Sequence, residues 1–220
     1  MRPVKLLISV FLCAELLIGC ATTPAVNRYN DLASASRLAP NRSDKDGHFP
    51  YRYDAVTTNW SGFNRVILDP VAIYAGADQQ FGNVPEADRI ALAAYMQEQF
   101  TEVLSSHYSM ALLPGPDTLH IHVTLTGIQT STPGVSTLWK VAPVGLLTNS
   151  VQSARDKPAA FSGSVSYAVE IYDSSSNELL RAYIARQYPF AEDVAASVRP
   201  LDASRAGIRK GAQALIAQLQ

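Results

Sequence analysis

Between residues 51 and 220 apolar side chains recur with two distinct spacings. From Thr118 to Ile128 they alternate: Leu119, Ile121, Val123 and Leu125 fall on one side, His120, His122, Thr124 and Thr126 on the other. Such alternation predicts a strand with one buried face. Gly163 to Asp173 repeats it with Val165, Tyr167, Val169 and Ile171. Asp173-Ser174-Ser175-Ser176-Asn177 is turn material, because these side chains bond their own backbone and tolerate left-handed geometry. Glu178 to Tyr188 then returns as a strand, with Leu180, Ala182 and Ile184 expected inward, which makes a hairpin. Arg65 to Tyr74 is an apolar run rich in branched residues and reads as one strand, with Pro70 marking a bulge or an edge. Tyr108 to Leu113 is a shorter candidate strand, closed by Pro114-Gly115-Pro116.

Helical spacing appears twice. Leu92, Met96, Phe100 and Val103 fall 4, 4 and 3 apart, predicting a helix from about Pro85 to His107. Ile208, Ala212, Leu215 and Leu219 predict a second from about Asp202 to Leu219, with Asp202 as its cap. The expected fold is α+β: a mainly antiparallel sheet of about five strands, two helices packed on one face, and a second face left partly wet.

The first residues follow another logic. Arg2 and Lys5 precede a mostly apolar stretch, Leu6 to Ile18, and small residues follow. This is the layout of a secretory signal. The stretch is too short for a permanent span, which needs ~20 apolar residues. Leu17-Ile18-Gly19-Cys20 resembles the lipobox of bacterial lipoproteins. That resemblance implies cleavage before Cys20, diacylglycerol on its thiol and, usually, a third acyl chain on its new amino group. Two or three chains hold a protein stably where one binds reversibly. Ala21 implies the periplasmic face of the outer membrane over the inner membrane. The expected organisation is a signal over 1–19, a lipidated tether over 20–50 that spaces the domain from the membrane and then leans on it, with Leu32 and Leu38 as contacts, and one domain over 51–220 carrying an insert at 129–162.

Composition narrows the function classes. Cys13 leaves with the signal and lipid occupies Cys20, so no intramolecular disulfide is expected. The 18 basic and 19 acidic residues fall to 16 and 18 when Arg2, Lys5 and Glu15 leave. Nothing in that balance attracts nucleic acid. About 200 mature residues suffice for one core.

Several further motifs occur in a familiar order. They are Tyr29-Asn30-Asp31-Leu32 with Leu38 after it, Arg65 to Val71, Pro114 to Leu119, Val169 to Asp173, and Asn177 to Leu180. In this order the chain from Tyr29 to about Tyr188 resembles the bacterial lipoproteins grouped as domain-of-unknown-function family 3313. The resemblance implies a lipoprotein and carries no activity, cofactor or catalytic set.

Candidate chemistry is sparse. His120 and His122 sit two apart on one strand, so both rings face one side, a spacing able to join a metal site. No third ligand presents itself by spacing, and the reading the sequence favours is two polar residues on the wet face of a sheet. No Gly-x-Ser-x-Gly elbow or phosphate-cradling glycine loop occurs. No cofactor is expected. The insert contains the apolar run Leu138 to Leu147, in which Trp139, Leu146 and Leu147 are candidate partner contacts if the run does not fold back on the sheet. The expected function is a non-catalytic interaction or structural component of the envelope, binding the membrane through Cys20 and an envelope protein through the sheet or insert. A small-ligand or lipid carrier is the alternative, and a hydrolase the remote one.

Overall fold

The computed structural model describes residues 25–130, 163–189 and 201–220. In chain order the elements are β1 (Ala39–Pro40), β2 (Tyr51–Asp54), β3 (Arg65–Leu68), β4 (Ala72–Ile73), α1 (Glu86–Ser105), β5 (Ser109–Met110), β6 (Thr118–Gln129), β7 (Ser164–Asp173), β8 (Leu179–Gln187) and α2 (Asp202–Gln218). The fold is α+β, built on one mixed sheet of eight strands. Along the sheet the order is β1-β2-β8-β7-β6-β3-β5, with β4 also beside β6. Most pairs are antiparallel, but β6 runs parallel to β3 and β4, and β3 parallel to β5. The parallel pairs follow from α1, which carries the chain back between β3 and β6.

Three differences raise the strand count above the expected five. Pro70 divides the Arg65–Tyr74 run into two strands, since it cannot donate to a ladder. Strand β2 pairs with β8, Tyr51 opposite Ile184. Strand β1 pairs with β2 and lies inside the segment assigned to the tether.

The core lies between the sheet and the helices. Leu119, Ile121, Val123 and Leu125 of β6 and Val165, Tyr167, Val169 and Ile171 of β7 point into it, as their alternation predicts. Helix α1 contributes Leu92, Met96, Phe100 and Leu104, and α2 contributes Ile208, Ala212 and Leu215. Each large side chain buried there stabilises the fold by about 1.5–3 kcal/mol. Pro85 begins α1 with φ −56°, and Glu86 and Asp88 occupy the first turn, where acidic groups favour the helix dipole. The cap of α2 is Leu201 and not Asp202; Leu201 makes no side-chain capping hydrogen bond, and Asp202 is the first helical residue.

The opposite face is not left to water. Val26, Tyr29, Leu32, Ala35 and Leu38 form a second cluster there with Tyr74, Ala168, Ala182 and Ile184. Strand β8 is therefore buried on both faces. Leu180 joins the helix-side core as expected, but Ala182 and Ile184 belong to this second cluster while Tyr183 and Ala185 face the helices, which reverses the inward side expected for Ala182 and Ile184. The packed unit consequently begins well before Tyr51. Tyr29 anchors the segment: it is fully buried at φ +57°, donates its hydroxyl to Gln80 Oε1 at 2.7 Å, and stacks edge-on against Tyr74 at 5.2 Å. Tyr74 donates to Asp78 at 2.6 Å and accepts from the Asp31 backbone at 3.0 Å.

Candidate metal centre

The second face of the sheet is closed over β7 and β8 and half open over β6. His120 and His122 stand at that margin. Both lie on the even, polar side of β6, so the strand itself holds their rings together, with centroids 4.5 Å apart. The Tyr172 ring on β7 lies 5.2 Å from His122.

Asp69 completes the cluster. Strand β3 ends at Leu68, Asp69 donates its backbone N–H to Ile121 at 3.1 Å, and Pro70 ends the ladder. Interruptions of this kind re-aim side chains. Here the carboxylate meets both rings: Asp69 Oδ1 is 2.8 Å from His120 Nε2, and Oδ2 is 3.5 Å from His122 Nε2. One ligand atom from each of the three residues falls within 4.8 Å of the others. All three side chains are partly exposed, between 27% and 39%.

Burial pushes the His122 pKa below its ordinary 6.5. The Asp69 and Glu170 carboxylates oppose this shift and His120 reinforces it. His122 is therefore mostly neutral near pH 7, the form in which an imidazole binds a metal. Glu170 lies directly opposite His122 on β7 and is 5% exposed. Its Oε1 accepts the Ser34 backbone N–H at 2.6 Å, so the packed N-terminal segment reaches the edge of the cluster. Glu170 also lines a concavity of about 400 Å³ with Asp31, Leu32, Tyr74, Gly76 and Thr124.

The pair of histidines seen in the sequence is thus joined by an acid 51 positions away. Its signal was a charged residue before proline inside an apolar run. The Asp173–Asn177 turn forms as its composition predicts: Asp173 Oδ1 accepts from Ser175 and Ser176 at 2.7 and 3.0 Å, and Asn177 takes φ +57°. Ser106 Oγ lies 2.8 Å from His107 Nδ1, but that nitrogen also faces the Val103 carbonyl at 3.1 Å. This exposed pair finishes the end of α1 and has no acid in its hydrogen bonds. Cys20, Trp139, Leu146, Leu147 and nearly all of the insert lie outside the described residues.

Together these features define a two-layer α+β domain whose N-terminal segment covers the back of its sheet beside a His–His–Asp cluster. The chain belongs to the family of proteins of unknown function DUF3313, whose model matches residues 28–215. No curated protein matches it. Among solved structures it is similar to the PelC dodecamer from Paraburkholderia phytofirmans, with 10% identity and a TM-score of 0.38, covering 74% of this chain and 94% of that one. It is also similar to a putative neuraminyllactose-binding hemagglutinin homolog from Helicobacter pylori (10%, 0.33, 76% and 87%). A third is the hypothetical protein CT253 from Chlamydia trachomatis (12%, 0.35, 71% and 95%). None of the three carries a further conclusion at these scores.

Proposed function

We propose that this chain is a lipid-anchored protein of the bacterial envelope, acylated on Cys20, whose domain is a non-catalytic interaction component at the periplasmic face of the outer membrane. The lipobox-like run Leu17-Ile18-Gly19-Cys20 carries this reading. The fold adds a constraint on it. Val26 and Tyr29 are already buried on the sheet. Fully extended, the chain from Cys20 to Val26 spans at most about 20 Å. A domain held this way works against the membrane surface, without a thirty-residue leash. Among the described residues no helix is long and apolar enough to cross a membrane.

Leu112 and Leu113, after β5, are 94% and 75% exposed and offer a partner an apolar foothold. The carrier reading draws on a concavity of about 470 Å³ lined by Trp60, Phe63, Tyr108, Ile216 and Leu219. Crosslinking in intact cells separates the two. The interaction reading predicts a discrete envelope protein joined to the wild-type chain and lost in Leu112→Ser/Leu113→Ser. Recovery of lipid or small molecule alone, under several crosslinkers, would favour the carrier.

A further inference from the structure

We propose that Asp69, His120 and His122 form a binding site for a late first-row divalent cation, zinc foremost, with one coordination position left to water. Two imidazoles and one carboxylate are a ligand set such cations favour, and three protein ligands with an open fourth position is a recurring zinc arrangement.

The geometry meets the requirements of a three-ligand site. Both Nε2 atoms face the same carboxylate, one at 2.8 Å and the other at 3.5 Å. Zinc sits about 2.0–2.2 Å from nitrogen and oxygen ligands, so a bound ion needs ligand atoms somewhat over 3 Å apart. Replacing the His120–Asp69 hydrogen bond by a cation opens that pair by about half an ångström or somewhat more, and the three ligand atoms, already within 4.8 Å of one another, adjust around the ion by rotation of partly exposed side chains. The ligands are also held in place. Spacing along β6 fixes the rings beside each other, Tyr172 flanks His122, and the Asp69 backbone is bonded to Ile121. Glu170, across the strand pair from His122, adds a second carboxylate beside the ion and is itself fixed by Ser34. Such outer groups tune affinity. Partial exposure gives the cation an entry path and leaves room for water.

The site also couples the cation to the N-terminal segment. Ser34 belongs to the stretch packed on the sheet, and Glu170 links it to the strand pair that carries His122. Binding to the folded form alone stabilises it by RT ln(1 + c/Kd) at free metal concentration c, so the Tm climbs with the logarithm of free metal.

The test uses the untagged full chain in detergent, titrated with Zn²⁺ by calorimetry and with Co²⁺ by visible absorption. One equivalent is expected, with a tetrahedral cobalt spectrum lacking thiolate charge-transfer bands, which separates this site from binding at a cysteine. His120→Ala, His122→Ala and Asp69→Asn should each weaken binding by more than about 100-fold, beyond the 10–100-fold typical of outer-shell changes. His107→Ala should leave it unchanged. A readout needing no variant guards against unfolding: Zn²⁺ should shift the imidazole ¹⁵N resonances of His120 and His122 and leave those of His48 and His107 in place. No stoichiometric binding, binding that survives loss of both histidines, or shifts confined to other imidazoles would each overturn the proposal.

Discussion

At the scale of single residues, close approach governs several positions that look permissive in the sequence. Gly211 lies on the buried side of α2. A Cβ built there would stand 2.1 Å from the Tyr167 hydroxyl oxygen. Tyr167 cannot yield easily, because it is fully buried and its ring meets Phe100 edge-on at 5.6 Å. Gly207, one turn earlier, would bring a Cβ to 2.9 Å from Val165 Cγ1 and 3.0 Å from the Gln187 carbonyl oxygen. The two glycines let the helix lie against β7 and β8, at a propensity cost of about 1 kcal/mol each relative to alanine. Gly211→Ala therefore sets a propensity gain against overpacking, and overpacking of a closed core costs about 1–3 kcal/mol. Urea unfolding should show a net loss of stability. A gain would mean that the helix stands off the sheet.

At the scale of elements, the ends of β2, β8 and α2 are tied by charge. Asp54 on β2 accepts hydrogen bonds from Arg52 and from Arg181 of β8. Arg181 also donates to the Gln218 carbonyl at the end of α2 and lies over the Trp60 ring at 4.4 Å. Partial burial alone would raise the Asp54 pKa, but the two arginines outweigh it and hold the carboxyl below its ordinary 3.8. A depressed carboxylate stabilises the fold above its unfolded pKa, and that contribution is lost as pH falls through the folded value. Asp54→Asn should thus lower the Tm at pH 7, and its deficit should shrink below about pH 4. A deficit independent of pH across the acid range would point to lost shape and not lost charge.

The same scale shows what could be read in advance. Alternation located β6 and β7 because one face of each meets the helices and the sequence registers it. It located β8 as well but misassigned the side of Ala182 and Ile184, because both faces of that strand are buried and polarity no longer marks a side. It also missed β1 and β2, which are short and lie at the sheet edge among loop-like residues. The candidate site was half legible. His120 and His122 share a strand, so their spacing brings them together. Asp69 arrives through a parallel pairing across a helix, and no local spacing encodes that contact.

At the scale of the whole molecule, the N-terminal segment changes what the anchor does. Residues expected to lean on the domain through Leu32 and Leu38 pack far more closely than a spacer: with Tyr29 they close the second face of the sheet, and Ser34 reaches the edge of the His–His–Asp cluster. Cys20 precedes Val26 by only six positions, so lipid on it, as proposed, would fix the domain's distance from the bilayer as well as its compartment. The most direct measurement is intact mass and fragment mass spectrometry of the chain recovered from membranes, beside Cys20→Ser. Lipidation at Cys20 predicts a mature N-terminus there carrying diacylglycerol and an amide-linked acyl chain, and a Cys20→Ser chain that keeps its signal and carries no lipid. A mature N-terminus at any other residue, or an unmodified Cys20 in a membrane-retained chain, would contradict it.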